Sequence, residues 1–262
     1  MNGNMEGMMT ERMQGKAILI VGAGTGIGAA TARRLVREGA RVCVADINLA
    51  AARGVAAELG AAAHAVAIDI ADEDAVQAAF ADASAWLGRL DGVHVNAADL
   101  RVIFEDTDAL DLDLAVFDRT LAVNLRGHLL CTRAALPHLL AAGGGALVYT
   151  SSGASHAGDG QRPAYAASKS GLNALMRHVA TRWGSAGIRA NCVAPGFVMT
   201  PEMEAGGQVP QALIDGFLAR TPSTRVGAAD DVAAMVALLL SGDGAWVNGQ
   251  VIHVNGGSLM PA

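Results

Sequence analysis

Apolar residues along the chain fall into two alternating patterns. Short, continuous runs rich in Val, Ile and Ala occupy residues 17–23, 41–45, 64–68, 92–95, 146–150, 189–193 and 250–254. Longer alanine-rich stretches, with apolar positions three and four apart, occupy 26–38, 49–59, 72–87, 113–140, 163–183 and 228–240. A run that is apolar at every position leaves no face for water, so it predicts a strand covered on both sides. The stretches between predict helices. The strand–helix alternation predicts an α/β fold in a single domain: a doubly wound parallel sheet of about seven strands with helices on both faces.

Local punctuation supports these boundaries. Asp72 stands where an N-cap belongs, Gly39 and Gly60 stand where helices should stop, and Pro163 suits a first helical turn. One region departs from the alternation. Residues 200–225 hold Pro201, Pro210 and Pro222, three glycines and a short amphipathic piece at 211–218. They predict a lid over a cleft. Residues 1–14 lack an apolar core segment and predict a disordered tail, which leaves 15–262 as the folded domain.

Composition narrows the function classes. With 52% hydrophobic and 17% charged residues, the chain predicts a packed globule. The charge-free stretch near the start, 17–32, is broken by Gly22, Gly24, Gly26 and Gly28 and is too short to span a bilayer. With no leader pattern, the expected location is the cytoplasm. A formal net charge of −6 disfavours nucleic acid as a partner. Cys43, Cys131 and Cys192 form neither metal spacing nor a disulfide framework, and none of His94, His128, His138 and His253 has a partner spaced as in a metal site. No metal is expected.

The candidate chemistry begins after the first strand. Gly22-Ala23-Gly24-Thr25-Gly26-Ile27-Gly28 joins that strand to a helix, which is the context a dinucleotide turn requires. Glycines let the backbone approach a pyrophosphate, and the helix N-terminus offers it free N–H groups. The sheet is therefore expected to be Rossmann-like. Asp46 ends the second strand twenty residues after Gly26, the spacing of a ribose-binding acid. Its carboxylate would repel a 2′-phosphate. Ile47 and Asn48 follow it, with no basic residue, so NAD is expected rather than NADP. Asp69 and the Ile70 backbone end the third strand and are candidates for the adenine edge.

A second cluster lies late in the chain. Tyr165 and Lys169 share one helix face at i and i+4. A free phenol has a pKa of ~10, and a neighbouring cation favours its ionised form. The pair therefore reads as a tuned acid/base. Tyr165 also follows a strand ending in Ser151-Ser152.

Together the glycine turn, Asp46, Asn124, Ser152, Tyr165 and Lys169 resemble the motif set of the short-chain dehydrogenase/reductase family, in order and spacing, over roughly residues 16–257. The resemblance implies an NAD-dependent oxidoreductase moving a hydride between a secondary alcohol, or its ketone, and nicotinamide. It implies that Tyr165 exchanges the alcohol proton and that Lys169 binds the nicotinamide ribose and tunes the phenol. Ser152, rather than Ser151, would hold the substrate oxygen, and Asn124 a water linking Lys169 to solvent. Asn96, Ala97 and Ala98 resemble the turn after the fourth strand. Pro195, Gly196, Val198 and Thr200 resemble the segment holding the carboxamide. A homotetramer built on the helices at 113–140 and 163–183 is also implied.

Two positions depart from the family pattern. Val95 and Ala98 stand where asparagine and glycine are usual. Asp99, His156, Gln161 and Met203 are candidates for the substrate pocket. Two rival readings remain at this stage. One is an NADP-dependent reductase of 3-oxoacyl thioesters. The other is a non-catalytic nucleotide-binding regulatory protein of the same fold.

Overall fold

The computed structural model describes residues 12–207 and 209–261. Its central sheet runs through β1 (Ala17–Val21), β2 (Arg41–Asp46), β3 (Ala63–Ala67), β4 (Gly92–Val95), β5 (Gly145–Thr150), β6 (Ile188–Pro195) and β9 (Val251–Val254). The strand order is β3-β2-β1-β4-β5-β6-β9, with every pairing parallel. A two-stranded pair, β7 (Val198–Met199) with β8 (Gly227–Ala228), stands apart at the base of the predicted lid.

Alternate residues of each strand feed opposite faces. Leu19, Val21, Val93, Val95, Leu147 and Tyr149 pack with Phe80, Leu130, Leu139, Leu172 and Met176. These come from α3 (Glu73–Leu87), α5 (His128–Ala141) and α6 (Pro163–Trp183). Ile18, Ile20, Val42, Val44 and Val148 pack on the other side with Leu35, Val55, Val232 and Val236. Those come from α1 (Gly26–Arg37), α2 (Leu49–Leu59) and α9 (Ala229–Leu240). Burial on both faces is what the unbroken apolar runs demanded. The caps also fall where the residue types placed them. Asp72 accepts from the Asp74 and Ala75 amides, and Gly39 and Gly60 both take positive φ.

The strand order reverses between β1 and β4. In open parallel sheets that switch point opens a crevice beyond the strand C-termini. The glycine turn after β1 and the Asn96–Ala98 turn after β4 line this crevice, held side by side by the register Val21↔Val95.

Two expectations are corrected. The segment 113–140 is not one regular helix. Between α4 (Leu114–Leu121) and α5 lies a widened π turn, Ala122–Gly127. Packing on α6 and the sheet decides this, and spacing alone does not encode it. The predicted tail over 1–14 lies, for 1–11, outside the described residues. Its last part is packed: Met13 is fully buried, its amide donates to the Glu38 carbonyl, and Arg12 pairs with the Glu38 carboxylate at 2.9 Å. Burying one thioether and pairing one carboxylate is enough to order these residues. The segment 200–225 holds two short helices, α7 (Pro201–Gly206) and α8 (Gln211–Leu218). Among the described residues no helix is long and apolar enough to cross a membrane.

Candidate active site

At the nucleotide end, the glycines are required by contact. A Cβ on Gly22 would stand 2.6 Å from the Ala97 backbone, and φ there is +79°. A Cβ on Gly28 would stand 2.0 Å from the Gly22 carbonyl oxygen. Gly24 lies against Asp46, whose Oδ2 accepts its N–H at 2.8 Å, while Oδ1 accepts from the Asn48 amide. Asp46 is thus held at the rim by both oxygens. Thr25 precedes α1 without a side-chain cap, which leaves the first-turn amides to an outside acceptor. The Gly26 amide donates at 3.3 Å to the carboxylate of Glu202 from the lid. A carboxylate thus already meets the helix N-terminus, the end that favours an anion. Small backbone, helix end and acid fit a dinucleotide. Ile27 packs inward beneath the turn, and Ile47 lies 64% exposed beside Asp46.

The remaining cofactor candidates divide. Ala97 lies against Gly22, and Ala98 is half-buried beside it. The Asn96 Nδ2 donates to the Gly22 carbonyl at 2.8 Å, and its Oδ1 accepts from the Thr150 hydroxyl. Asn96 thus staples the two turns together. Asp69 closes a local turn on the Ala71 amide, and Ile70 is buried against Gly127. Pro195 ends β6, the Gly196 amide donates to the Val254 carbonyl, and Thr200 caps α7 below Val198. Val95 is a core residue whose place in the sheet needs no side-chain hydrogen bond.

At the reacting end, α6 brings Tyr165 and Lys169 together. The Lys169 Nζ lies 5.7 Å from the centroid of the Tyr165 ring and donates to the Thr150 carbonyl at 2.8 Å. Lys169 is 1% exposed, and burial pushes its ammonium down to about 8. Burial likewise raises the Tyr165 phenol above its ordinary value. The nearby Ser152 hydroxyl and the Arg162 guanidinium both oppose that rise. This corrects the expected lowering by Lys169: in the protein alone, desolvation of the ring outweighs the cation. Ser152 also accepts from the Ala154 amide, whereas the Ser151 hydroxyl is spent on Asn173 at 2.7 Å. Of the two serines, Ser152 is the one at the phenol.

Asn124 sits in the π turn, fully buried. Its Oδ1 accepts the Asp99 amide at 2.9 Å, and its Nδ2 has no protein partner. The Asp99 carboxylate is engaged by Arg101 at 2.8 Å and Arg119 at 2.9 Å, and these guanidiniums hold it well below the usual carboxylate range. His156 is exposed and edges the His253 ring at 5.0 Å. Gln161 closes a turn with Asp159, and Met203 lies half-buried in α7. Sequence reasoning missed Thr150, whose carbonyl anchors Lys169 and whose hydroxyl donates to Asn96. It also missed the buried carboxylate of Asp106, which accepts from the Tyr165 amide. No spacing rule links either residue to the motifs. Among the described residues no cluster of His, Cys, Asp or Glu could hold a metal.

Comparison with known proteins gives the family. The family described as enoyl-(acyl carrier protein) reductase matches residues 22–258. A probable short-chain type dehydrogenase/reductase of Bradyrhizobium diazoefficiens is 45% identical, over 95% of this chain and 89% of its own. Levodione reductase of Leifsonia aquatica is 34% identical, over 95% and 96%. A 7α-hydroxysteroid dehydrogenase solved with NADH and 7-oxo glycochenodeoxycholic acid superposes with a TM-score of 0.88 at 30% identity, covering 97% of this chain and 98% of that one. With this family match, these relatives and the seven-stranded parallel sheet, the chain belongs to the short-chain dehydrogenase/reductase family of oxidoreductases.

Proposed function

We propose that the protein moves a hydride between the carbinol carbon of a secondary alcohol, or the corresponding ketone, and NAD. The observation that carries this reading is the Tyr165 phenol set beside Ser152, with the Lys169 ammonium buried one helical turn on and 5.7 Å from the ring centroid. The nicotinamide ring supplies the hydride chemistry. The protein's own groups handle the proton. In the oxidative direction Tyr165, as phenolate, takes the hydroxyl proton while Ser152 holds the same oxygen and a C=O forms. In the reductive direction the phenol returns that proton to the developing alkoxide. Lys169 and the cationic cofactor favour the ionised phenol against its burial, and Asn124 connects Lys169 to solvent through water.

Gly22, Gly24, Gly26 and Gly28 hold the pyrophosphate, and Asp46 the adenosine ribose. Asp69 and Ile70 meet the adenine, and the segments at Asn96–Ala98 and Pro195–Thr200 seat the nicotinamide. Substrate contacts fall to Asp99, His156, Gln161 and Met203. The active form is a cytoplasmic homotetramer joined through α4, α5 and α6, where Leu121, Leu125, Leu129 and Leu175 line an apolar groove.

Asp46 supports NAD over NADP, because a 2′-phosphate beside a carboxylate meets like charge. NADH is therefore expected to raise the Tm by several degrees at a concentration where NADPH shifts it little. Asp46→Ala should narrow the difference. A larger shift with NADPH would overturn the NAD assignment and favour a 3-oxoacyl thioester reductase. A panel of secondary alcohols, diols, sugars and steroids with NAD, read by nicotinamide absorbance, tests the reaction itself.

A further inference from the structure

We propose that Asp106, a residue of the loop between β4 and α4, is a positioning residue that fixes the catalytic phenol of Tyr165 by capping α6 from outside. This rests on the role given to Tyr165 above.

Every helix leaves its first-turn amides without partners, and a buried helix end must find them acceptors. Both α3 and α4 solve this locally, with Asp72 and Asp113 as their own N-caps. The N-cap of α6 is Arg162, which makes no side-chain cap bond. Arg162 is also the one non-glycine residue at positive φ, +64°, among the described residues. Pro163 follows and has no amide to satisfy. The next two amides, Ala164 and Tyr165, both donate to the Asp106 carboxylate: Ala164 to Oδ1 at 3.2 Å and Tyr165 to Oδ2 at 2.8 Å. Asp106 is 3% exposed, so the fork is made away from water.

The same loop holds the strained residue. The Arg162 amide donates to the Asp106 carbonyl at 3.1 Å and to the Thr107 carbonyl at 2.9 Å. A left-handed arginine persists only where its surroundings over-determine it, and such residues gather at functional sites. Here the strain turns the chain sharply from the Ser152 loop into α6, so that Tyr165 falls within the first turn. Asp106 grips that turn from both sides of the bend. Its side chain holds the helix amides, and its main chain holds the residue before them. A carboxylate also suits the positive end of a 21-residue helix.

The loop is anchored in turn. Asp99, earlier in it, is clamped by Arg101 and Arg119, and its amide donates to Asn124. The turn after β4 and the first turn of α6 are thus parts of one braced segment. Displacement of a reacting group by about 1 Å can cost 100-fold in rate, so the brace acts on turnover and not only on folding.

Phenolate absorbance tests the placement without a substrate. The chain has two tyrosines. Tyr149 is fully buried and desolvation pushes its phenol well above the ordinary range, so the earlier transition belongs to Tyr165. In Asp106→Ala the first turn frays, Tyr165 gains solvent, and its phenol should titrate at lower pH than in wild type. Asp72→Ala removes a cap of the same kind from α3, costs a similar few degrees of Tm and should leave the phenol where it was. On the fastest alcohol of the panel, Asp106→Ala should lower kcat about 10- to 100-fold with the NADH dissociation constant unchanged, and Asp106→Glu should recover part of it. Should Asp106→Ala fail to fold, Asp106→Asn keeps one acceptor and should show the same shifts in smaller measure. A Tyr165 titration unmoved in the Asp106 variants, or a kcat loss no greater than that of Asp72→Ala, overturns the proposal. If wild type oxidises no alcohol, the redox reading fails by itself, and the phenol titration still decides what Asp106 does.

Discussion

Tyr165→Phe is expected to lower kcat by about 10²- to 10⁴-fold while leaving the NADH dissociation constant nearly unchanged. The ring stays, so the packing of the first turn of α6 stays with it. What goes is the single oxygen that faces Ser152, on a ring whose centroid lies 5.7 Å from the Lys169 ammonium. No other group at the site can take over. Ser151 is committed to Asn173, and His156 turns its ring to His253. Tyr149, the other tyrosine, is fully buried and bonded to Thr132 at 2.8 Å. Steady-state rates with NAD and a responsive alcohol, beside NADH binding by fluorescence, would check the split. Retained turnover would remove Tyr165 from the reaction.

Lys169→Met is expected to cost about 100-fold in kcat and yet leave the ligand-free protein as stable as wild type, or more so, at pH 7. Burial holds the Lys169 ammonium at about 8 against an ordinary 10.5. Below pH 8 the folded protein therefore carries a desolvated charge whose cost is about 3 kcal/mol at ~1.4 kcal/mol per pH unit. A methionine of similar length fills the space without that cost. The sign with pH follows. Between about 8 and 10.5 the unfolded chain binds the proton that the folded chain has released, so wild type gains stability as pH rises through this window. Lys169→Met lacks that gain. The three buried thiols, each pushed up to about 12, act in the opposite sense in both proteins. The difference between the two urea midpoints across pH 7–10.5 therefore isolates Lys169. A wild-type advantage that grew with pH relative to the variant would agree. A constant difference would show that the ammonium is hydrated.

Much of this was legible in the residues, and the reason is local. Helices α2 and α6 begin and end where the apolar period, Gly60 and Pro163 place them, since caps and breakers act on their immediate neighbours. The both-face burial of the sheet was written in runs with no polar alternation. The Tyr165–Lys169 pair was legible because one helical turn fixes its geometry. What stayed hidden depends on contacts distant in sequence. The π turn at Ala122–Gly127 follows from packing on α6. The Asp106 fork joins residues 58 and 59 apart, and nothing near Asp106 marks it as a cap for a later helix. The net rise of the Tyr165 phenol reflects burial, which no spacing reveals.

The contact between Glu202 and the Gly26 amide carries a kinetic consequence. One N–H cannot serve two anions. If a coenzyme phosphate takes it, as the proposed function requires, the Glu202 carboxylate must leave, and α7 loses its tie to the glycine turn. Loading the nucleotide and loosening α7 then become a single event, and the two reactants are expected to bind in compulsory order, nucleotide first and alcohol second.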